Sequence, residues 1–100
     1  MTVTSVLSED GNELTIAIEG RFDFAAHQEF RSAYEKTGTP KAYIVDLRKT
    51  TYLDSSALGM LLLLRDHGGG DNAQISLINV TSDVKKILAI SNFDKLFTVE

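Results

Sequence analysis

Residues 42–67, AYIVDLRKTTYLDSSALGMLLLLRDH, pass from a β-branched and aromatic segment through a polar stretch into a strongly apolar one. Ala42–Leu47 carries Tyr43, Ile44 and Val45 with little polar alternation, which predicts a central strand buried on both faces. Asp54-Ser55-Ser56 then stands where a loop becomes a helix that runs to about His67. Short side-chain oxygens at such a position satisfy the free N–H groups of a helix start, a contribution of about 1 kcal/mol. A single cap suffices for that, yet three polar residues stand in a row and no Glu or Gln completes a capping box. At least one of the hydroxyls therefore asks for another reason.

The helix after this corner supplies a second observation. Spacing its residues at about 100° centres the apolar arc on Ala57, Leu61 and Leu64. Leu58 and Leu62 widen the arc on one side, Met60 and Leu63 on the other, and only Gly59, Arg65 and Asp66 interrupt the circle. A helix this apolar is either wholly buried or offers some leucine to a partner. Gly59 falls on the outward arc one turn from Ser55, where it costs about 1 kcal/mol of helix propensity against Ala. Its missing side chain permits close approach. The stretch reads as part core and part docking face, with a hydroxyl at its edge.

Outward from this stretch the chain alternates strands and helices. Thr2–Ser8 and Leu14–Glu19 flank the turn cluster Glu9-Asp10-Gly11-Asn12, which predicts an antiparallel hairpin. Asp23, in Gly20-Arg21-Phe22-Asp23, is placed to cap a helix over Phe24–Lys36, with Ala26, Phe30, Ala33 and Tyr34 sharing one face. Thr37-Gly38-Thr39-Pro40 stops it. Beyond His67, Gln74–Ile78 predicts a strand. A helix then begins at Thr81 or Ser82, turns Val84, Ile87 and Leu88 inward and ends near Asn92, and Leu96–Val99 closes the chain as a strand. The order β-β-α-β-α-β-α-β implies one α/β domain over residues 1–100: a mixed sheet opened by an antiparallel hairpin, with about three packed helices.

Composition narrows the function classes. The 100 residues suit a single core, and an apolar share of 43% with 24% charged residues argues against disorder. The absence of cysteine excludes disulfides and thiol chemistry. A net charge of −4 has the wrong sign for binding nucleic acid. The longest unbroken apolar run, Met60–Leu64, is far short of the roughly 20 residues that cross a bilayer, and the first residues do not form a signal peptide. A cytoplasmic protein without a membrane role is expected.

The chemistry-bearing motifs are mostly absent. His27 and His67 have no second ligand at metal-site spacing, so no metal or other cofactor is expected. Gly-x-Ser-x-Gly does not occur around Ser55 or Ser56, and no general base is identifiable, so the chain reads as a non-enzyme. Gly68-Gly69-Gly70 comes after a helix, facing its negative end, whereas phosphate cradles precede one. Arg48-Lys49 reads as solvated loop charge.

The run VDLRKTTYLDSSALGMLLLL, with its Asp54-Ser55-Ser56-x-Leu58-Gly59 core, resembles the signature of STAS domains, specifically the stand-alone anti-sigma factor antagonists. Gly20-Arg21-Phe22-Asp23 and the terminal FDKLFTV agree with it, and the resemblance spans nearly the whole chain. It implies a phosphorylation-switched binding module for partner-switching control of transcription. The unphosphorylated form would bind and sequester an anti-sigma factor that is itself a serine kinase, and phosphorylation of Ser55 would release it. A metal-dependent serine phosphatase, in some pathways fused to a response regulator, would restore Ser55. The resemblance further implies that Ser56 caps the helix and Asp54 orients the acceptor. Asp23 would shape the partner surface, which is expected to include Ala57, Leu58, Gly59, Leu62 and Leu63. Ala57 departs from the Gly of many members. The alternative reading is a STAS subunit docked on the ATPase of an ABC transporter, a role that needs no acceptor serine.

Overall fold

A computed structural model describes residues 2–100. The opening hairpin pairs β1 (Thr2–Leu7) with β2 (Glu13–Phe22) in an unbroken antiparallel register from Thr2↔Glu19 to Leu7↔Leu14. Its turn is built by short-range bonds. The Ser8 hydroxyl donates to Asp10 Oδ1 at 2.6 Å, and the Glu13 N–H donates to Ser8 Oγ at 3.0 Å. A single 3-10 turn, Phe24–Ala26, leads into α1 (His27–Glu35), so the helix expected over Phe24–Lys36 is α-helical only from His27.

The remaining elements are β3 (Ala42–Asp46), β4 (Thr50–Leu53), α2 (Ser55–His67), β5 (Ile75–Ile78), α3 (Ser82–Ile90) and β6 (Thr98–Val99). The sheet order is β1-β2-β3-β5-β6, with β4 also pairing β2, and every pairing beyond the hairpin is parallel. The mixed sheet and three helices expected from the element order are therefore present. The last strand is shorter than Leu96–Val99 because Phe93–Lys95 forms a 3-10 turn after Asn92, whose φ is +62°. Thr81 caps α3, its Oγ1 accepting from the Val84 N–H at 3.4 Å.

Two features differ from the expectations. First, β3 is not buried on both faces. Tyr43, Val45 and Leu47 are buried, whereas Ala42, Ile44 and Asp46 are only half-covered, and β2 and β5 repeat this alternation. The helices pack on one face, where Leu14, Ile16, Ile18, Tyr43, Val45 and Leu77 meet Phe30, Ala57, Leu61, Leu64 and Leu88. The other face stays open. Small and β-branched side chains fill most of the half-covered positions, which is why the strand lacks the polar alternation that normally marks an open face.

Second, β4 is a strand where the sequence suggests only loop. A register shift between Gly20 and Arg21 lets β2 continue past β3 and pair with β4 from Gly20↔Thr50 to Phe22↔Leu53. Gly20 takes φ +94° at this point, a backbone state open to glycine, and its N–H donates to the Lys49 carbonyl at 2.9 Å. Thr50 locks the joint: it is buried and its Oγ1 donates to the Ile18 carbonyl at 2.8 Å. The linking turn is held by Asp46, whose Oδ1 accepts from the Arg48 N–H at 3.0 Å and from Asn79 Nδ2 at 3.2 Å.

Candidate functional site

The bulge places two aspartates side by side. Phe22 and Leu53 are the last register pair of β2 and β4, so Asp23 and Asp54 both leave the carboxyl ends of adjacent parallel strands. The backbone ties them together, the Asp54 N–H donating to the Phe22 carbonyl at 3.4 Å. Each carboxylate caps the next turn of its own chain segment. Asp23 Oδ1 accepts from the Ala25 N–H at 3.1 Å, and Asp54 Oδ1 from the Ala57 N–H at 2.9 Å.

Asp54 is therefore the N-cap of α2, and the capping duty expected of Ser56 does not fall to it. The reason is backbone state. Asp54 is extended (φ −110°, ψ −175°), as an N-cap must be to turn its side chain back on the third N–H, whereas Ser55 and Ser56 already lie in the helix. Ser55 is the first helical residue and exposed; Ser56 is half-buried. Among the described residues neither hydroxyl has a hydrogen-bond partner within the chain. Ser55 thus presents a free hydroxyl at the positive end of a 13-residue helix.

The expected docking residues separate into three groups. Ala57 is fully buried, so it belongs to the core and offers nothing to a partner. Its place in α2, two residues after Ser55, turns it inward against the sheet. Leu58 is half-buried and packs against the core. Leu62 and Leu63 are 39% and 49% exposed, and among the described residues a Cβ built on Gly59 would meet nothing within 4 Å beyond the adjacent residues and the backbone of its own helix. Gly59 borders open space, so no intramolecular contact accounts for the missing side chain. Ser55, Gly59 and Leu62 stand at helical spacing on one outward line.

Three further neighbours join the corner without having been expected there. Phe24 is 71% exposed, stacks on His27 with ring centroids 5.7 Å apart, and belongs to the turn that packs beside α2. Its position off the face formed by Ala26, Phe30 and Tyr34 was the available signal. Arg21 and Tyr52 are register partners on the face away from the core. The Arg21 guanidinium lies 4.3 Å from the Tyr52 ring centre, and its Nε is 3.6 Å from Asp23 Oδ2. That pairing depends on β4 and could not be read without it. The corner thus combines a free hydroxyl, two carboxylates, one arginine and exposed apolar side chains.

Elsewhere, His67 packs on Tyr34 with ring centroids 4.9 Å apart, and Gly68-Gly69-Gly70 forms the loop after α2. Among the described residues no group of three or more His, Cys, Asp or Glu could hold a metal ion, and no helix is long and apolar enough to cross a membrane.

Residues 5–99 match the family model described as Mlab, STAS domain. The chain belongs to the STAS family. This STAS domain is 67% identical, over 99% of both chains, to a STAS-domain containing protein of Pseudomonas aeruginosa (strain UCBPP-PA14). Solved structures share its fold at low identity. A putative anti-sigma factor antagonist from Thermotoga maritima superposes with a TM-score of 0.82 at 12% identity, covering 97% of this chain and 84% of that one. The Bacillus cell fate determinant SpoIIAA in its phosphorylated form gives 0.75 at 16% identity, covering 99% and 91%. A sulfate transporter family protein from Wolinella succinogenes gives 0.73 at 18% identity, covering 92% and 79%. The STAS domain shares its fold with these anti-sigma factor antagonists.

Proposed function

We propose that this STAS domain is an anti-sigma factor antagonist switched by phosphorylation of Ser55. The unphosphorylated corner binds an anti-sigma factor that is also a serine kinase, and the phosphorylated corner does not. The observation that carries the reading is Ser55 itself: exposed, without a hydrogen-bond partner among the described residues, at the start of α2 and beside exposed leucines that the core does not use. A kinase reaches such a hydroxyl without unfolding anything.

The energetics suit a switch. A phosphate at a helix N-terminus is compatible with the fold, because the dipole and the N–H groups of the first turn favour an anion there. The Ser55 and Ser56 N–H groups remain for that role, since Asp54 Oδ1 takes the Ala57 N–H and the Asp54 carbonyl takes that of Leu58 at 3.2 Å. The same phosphate adds about −1.5 to −2 of charge beside two carboxylates and in front of an apolar contact surface. Binding is lost while the domain stays folded. A metal-dependent serine phosphatase, fused in some pathways to a response regulator, then resets the corner.

A second reading is favoured by the transporter-family neighbour: the α2 face as a permanent docking surface on a transporter ATPase. The two readings differ in what Ser55 contributes. Partner pull-down with wild type, Ser55→Ala and Ser55→Asp, joined to mass spectrometry of the peptide holding Ser55 and Ser56, separates them. The switch predicts phosphate on Ser55 and loss of the partner with Ser55→Asp alone. Retention of a transporter ATPase by all three proteins supports the second reading.

A further inference from the structure

β1 is one edge of the sheet, and it lacks the devices that keep an edge from pairing. Natural edges are blunted by charges, prolines, bulges or a covering element. The strand Thr2–Leu7, TVTSVL, holds no charge, proline or glycine, and its register to β2 has no bulge. Five of its six residues are exposed, and Val6 is 69% exposed.

The hydrogen-bond phase of the hairpin shows which backbone groups are unpaired. The Ser8 N–H donates to the Glu13 carbonyl at 2.8 Å, and that pair continues the register of the strands. Bonded and non-bonded pairs alternate along an antiparallel ladder. Thr2, Thr4 and Val6 therefore bond to β2, while Val3, Ser5 and Leu7 direct their N–H and C=O groups away from the sheet. Beside them runs α1. Being the crossover between the parallel strands β2 and β3, it lies antiparallel to β2 and so points the same way as β1. The groove between β1 and α1 is lined by Val3, Ser5, Gln28, Glu29, Ser32 and Lys36. Arg31 and Glu35 of α1 pair with each other at 3.0 Å, but among the described residues Glu29 and Lys36 have no ion-pair partner.

We propose that β1 docks a second copy of this chain, strand against strand and antiparallel, about a two-fold axis through Ser5. In this register Ser5 meets its own counterpart and Val3 meets Leu7 of the second copy. Every outward residue thus faces an outward residue, giving about six backbone hydrogen bonds. Val6 is covered across from Thr4 of the second copy. The axis also lays the two α1 helices antiparallel and sets Glu29 toward Lys36 of the second copy, once on each side. That charge order identifies the occupant, because an identical chain turned by 180° supplies it without further adjustment. β4 continues along the β3 side of β2, so the Ser55 corner of each copy stays free, and the pairing does not depend on the switch.

Sedimentation of the intact chain over a concentration series tests it. Wild type is expected to move from the 11.0 kDa of one chain to twice that mass as concentration rises. Ser5→Pro removes an outward N–H that β2 does not use, so the far-ultraviolet spectrum is kept and the mass stays that of one chain. Lys36→Glu sets like charges together and raises the dissociation constant about tenfold; Glu29→Lys with Lys36→Glu restores it. Hydrogen exchange at the Val3, Ser5 and Leu7 amides should slow with concentration, while that of Thr4 and Val6 does not change. A wild-type chain of single mass throughout, a Ser5→Pro chain that still doubles, or a single chain that instead captures an extended peptide on β1 overturns the proposal.

Discussion

Asp54 does more than either serine to hold the start of α2. Its extended backbone lets the carboxylate cap α2, and its neighbour Asp23 caps the adjoining turn in the same way. Asp54→Ala is expected to lower stability by about 1 kcal/mol in urea unfolding, whereas Ser56→Ala changes it by less than about 0.5 kcal/mol. Gly59 poses the opposite trade. With open space where a Cβ would sit, Gly59→Ala should raise stability by up to about 1 kcal/mol, and Gly59→Gln should keep the fold while weakening partner binding. Deeper in, the Tyr43 hydroxyl is buried without a hydrogen-bond partner among the described residues. Burial raises the pKa of both Tyr43 and Tyr34 above the usual tyrosine value of 10.0. The unfolded chain then ionises first as pH rises. The stability linked to these residues is full below about pH 10 and falls above it. Tyr43→Phe should be neutral or stabilising at pH 7 and should reduce the alkaline loss, as read from unfolding midpoints across pH.

At the scale of elements, α2 is both core and surface, and its two sides are separable by mutation. Leu61 is fully buried, so Leu61→Ala should cost about 2–5 kcal/mol. Leu62→Ala and Leu63→Ala should cost far less stability and act on partner affinity instead, measured by titration of the purified partner. Apart from β4, the order of strands and helices was legible in the sequence because periodicity and turn residues marked each element. The helix start was legible too, but not which residue caps it: Asp, Ser and Ser are all good caps, and only the backbone turn at Asp54 decides. β4 was hidden because Thr50–Leu53 is short and borders a polar turn, and its partner is the far end of β2 beyond the Gly20 bulge. Arg21 and Tyr52 stayed hidden with it, since their place in the corner depends on that pairing. The half-open face of β3 was obscured because Ala42, Ile44 and Asp46 lie at half-covered positions with only one polar residue among them.

For the whole molecule, the arrangement is asymmetric. The helices cover one face of the sheet, the Ser55 corner sits at the carboxyl ends of β2 and β4, and the unprotected edge β1 lies on the other side of β2 from β4. The chain already carries a net charge of −4. A phosphate adds to that charge at one point, beside Asp23 and Asp54, and the repulsion it produces is local and weakened by salt. The proposed switch would therefore change binding without changing the fold. The direct measurement is titration of one purified kinase partner with unmodified chain and with chain phosphorylated stoichiometrically on Ser55, with thermal unfolding of both forms alongside. The phosphorylated chain is expected to bind at least about a hundredfold more weakly, a difference of about 2.7 kcal/mol, with the fold intact. Equal affinity of the two folded forms would contradict the switch.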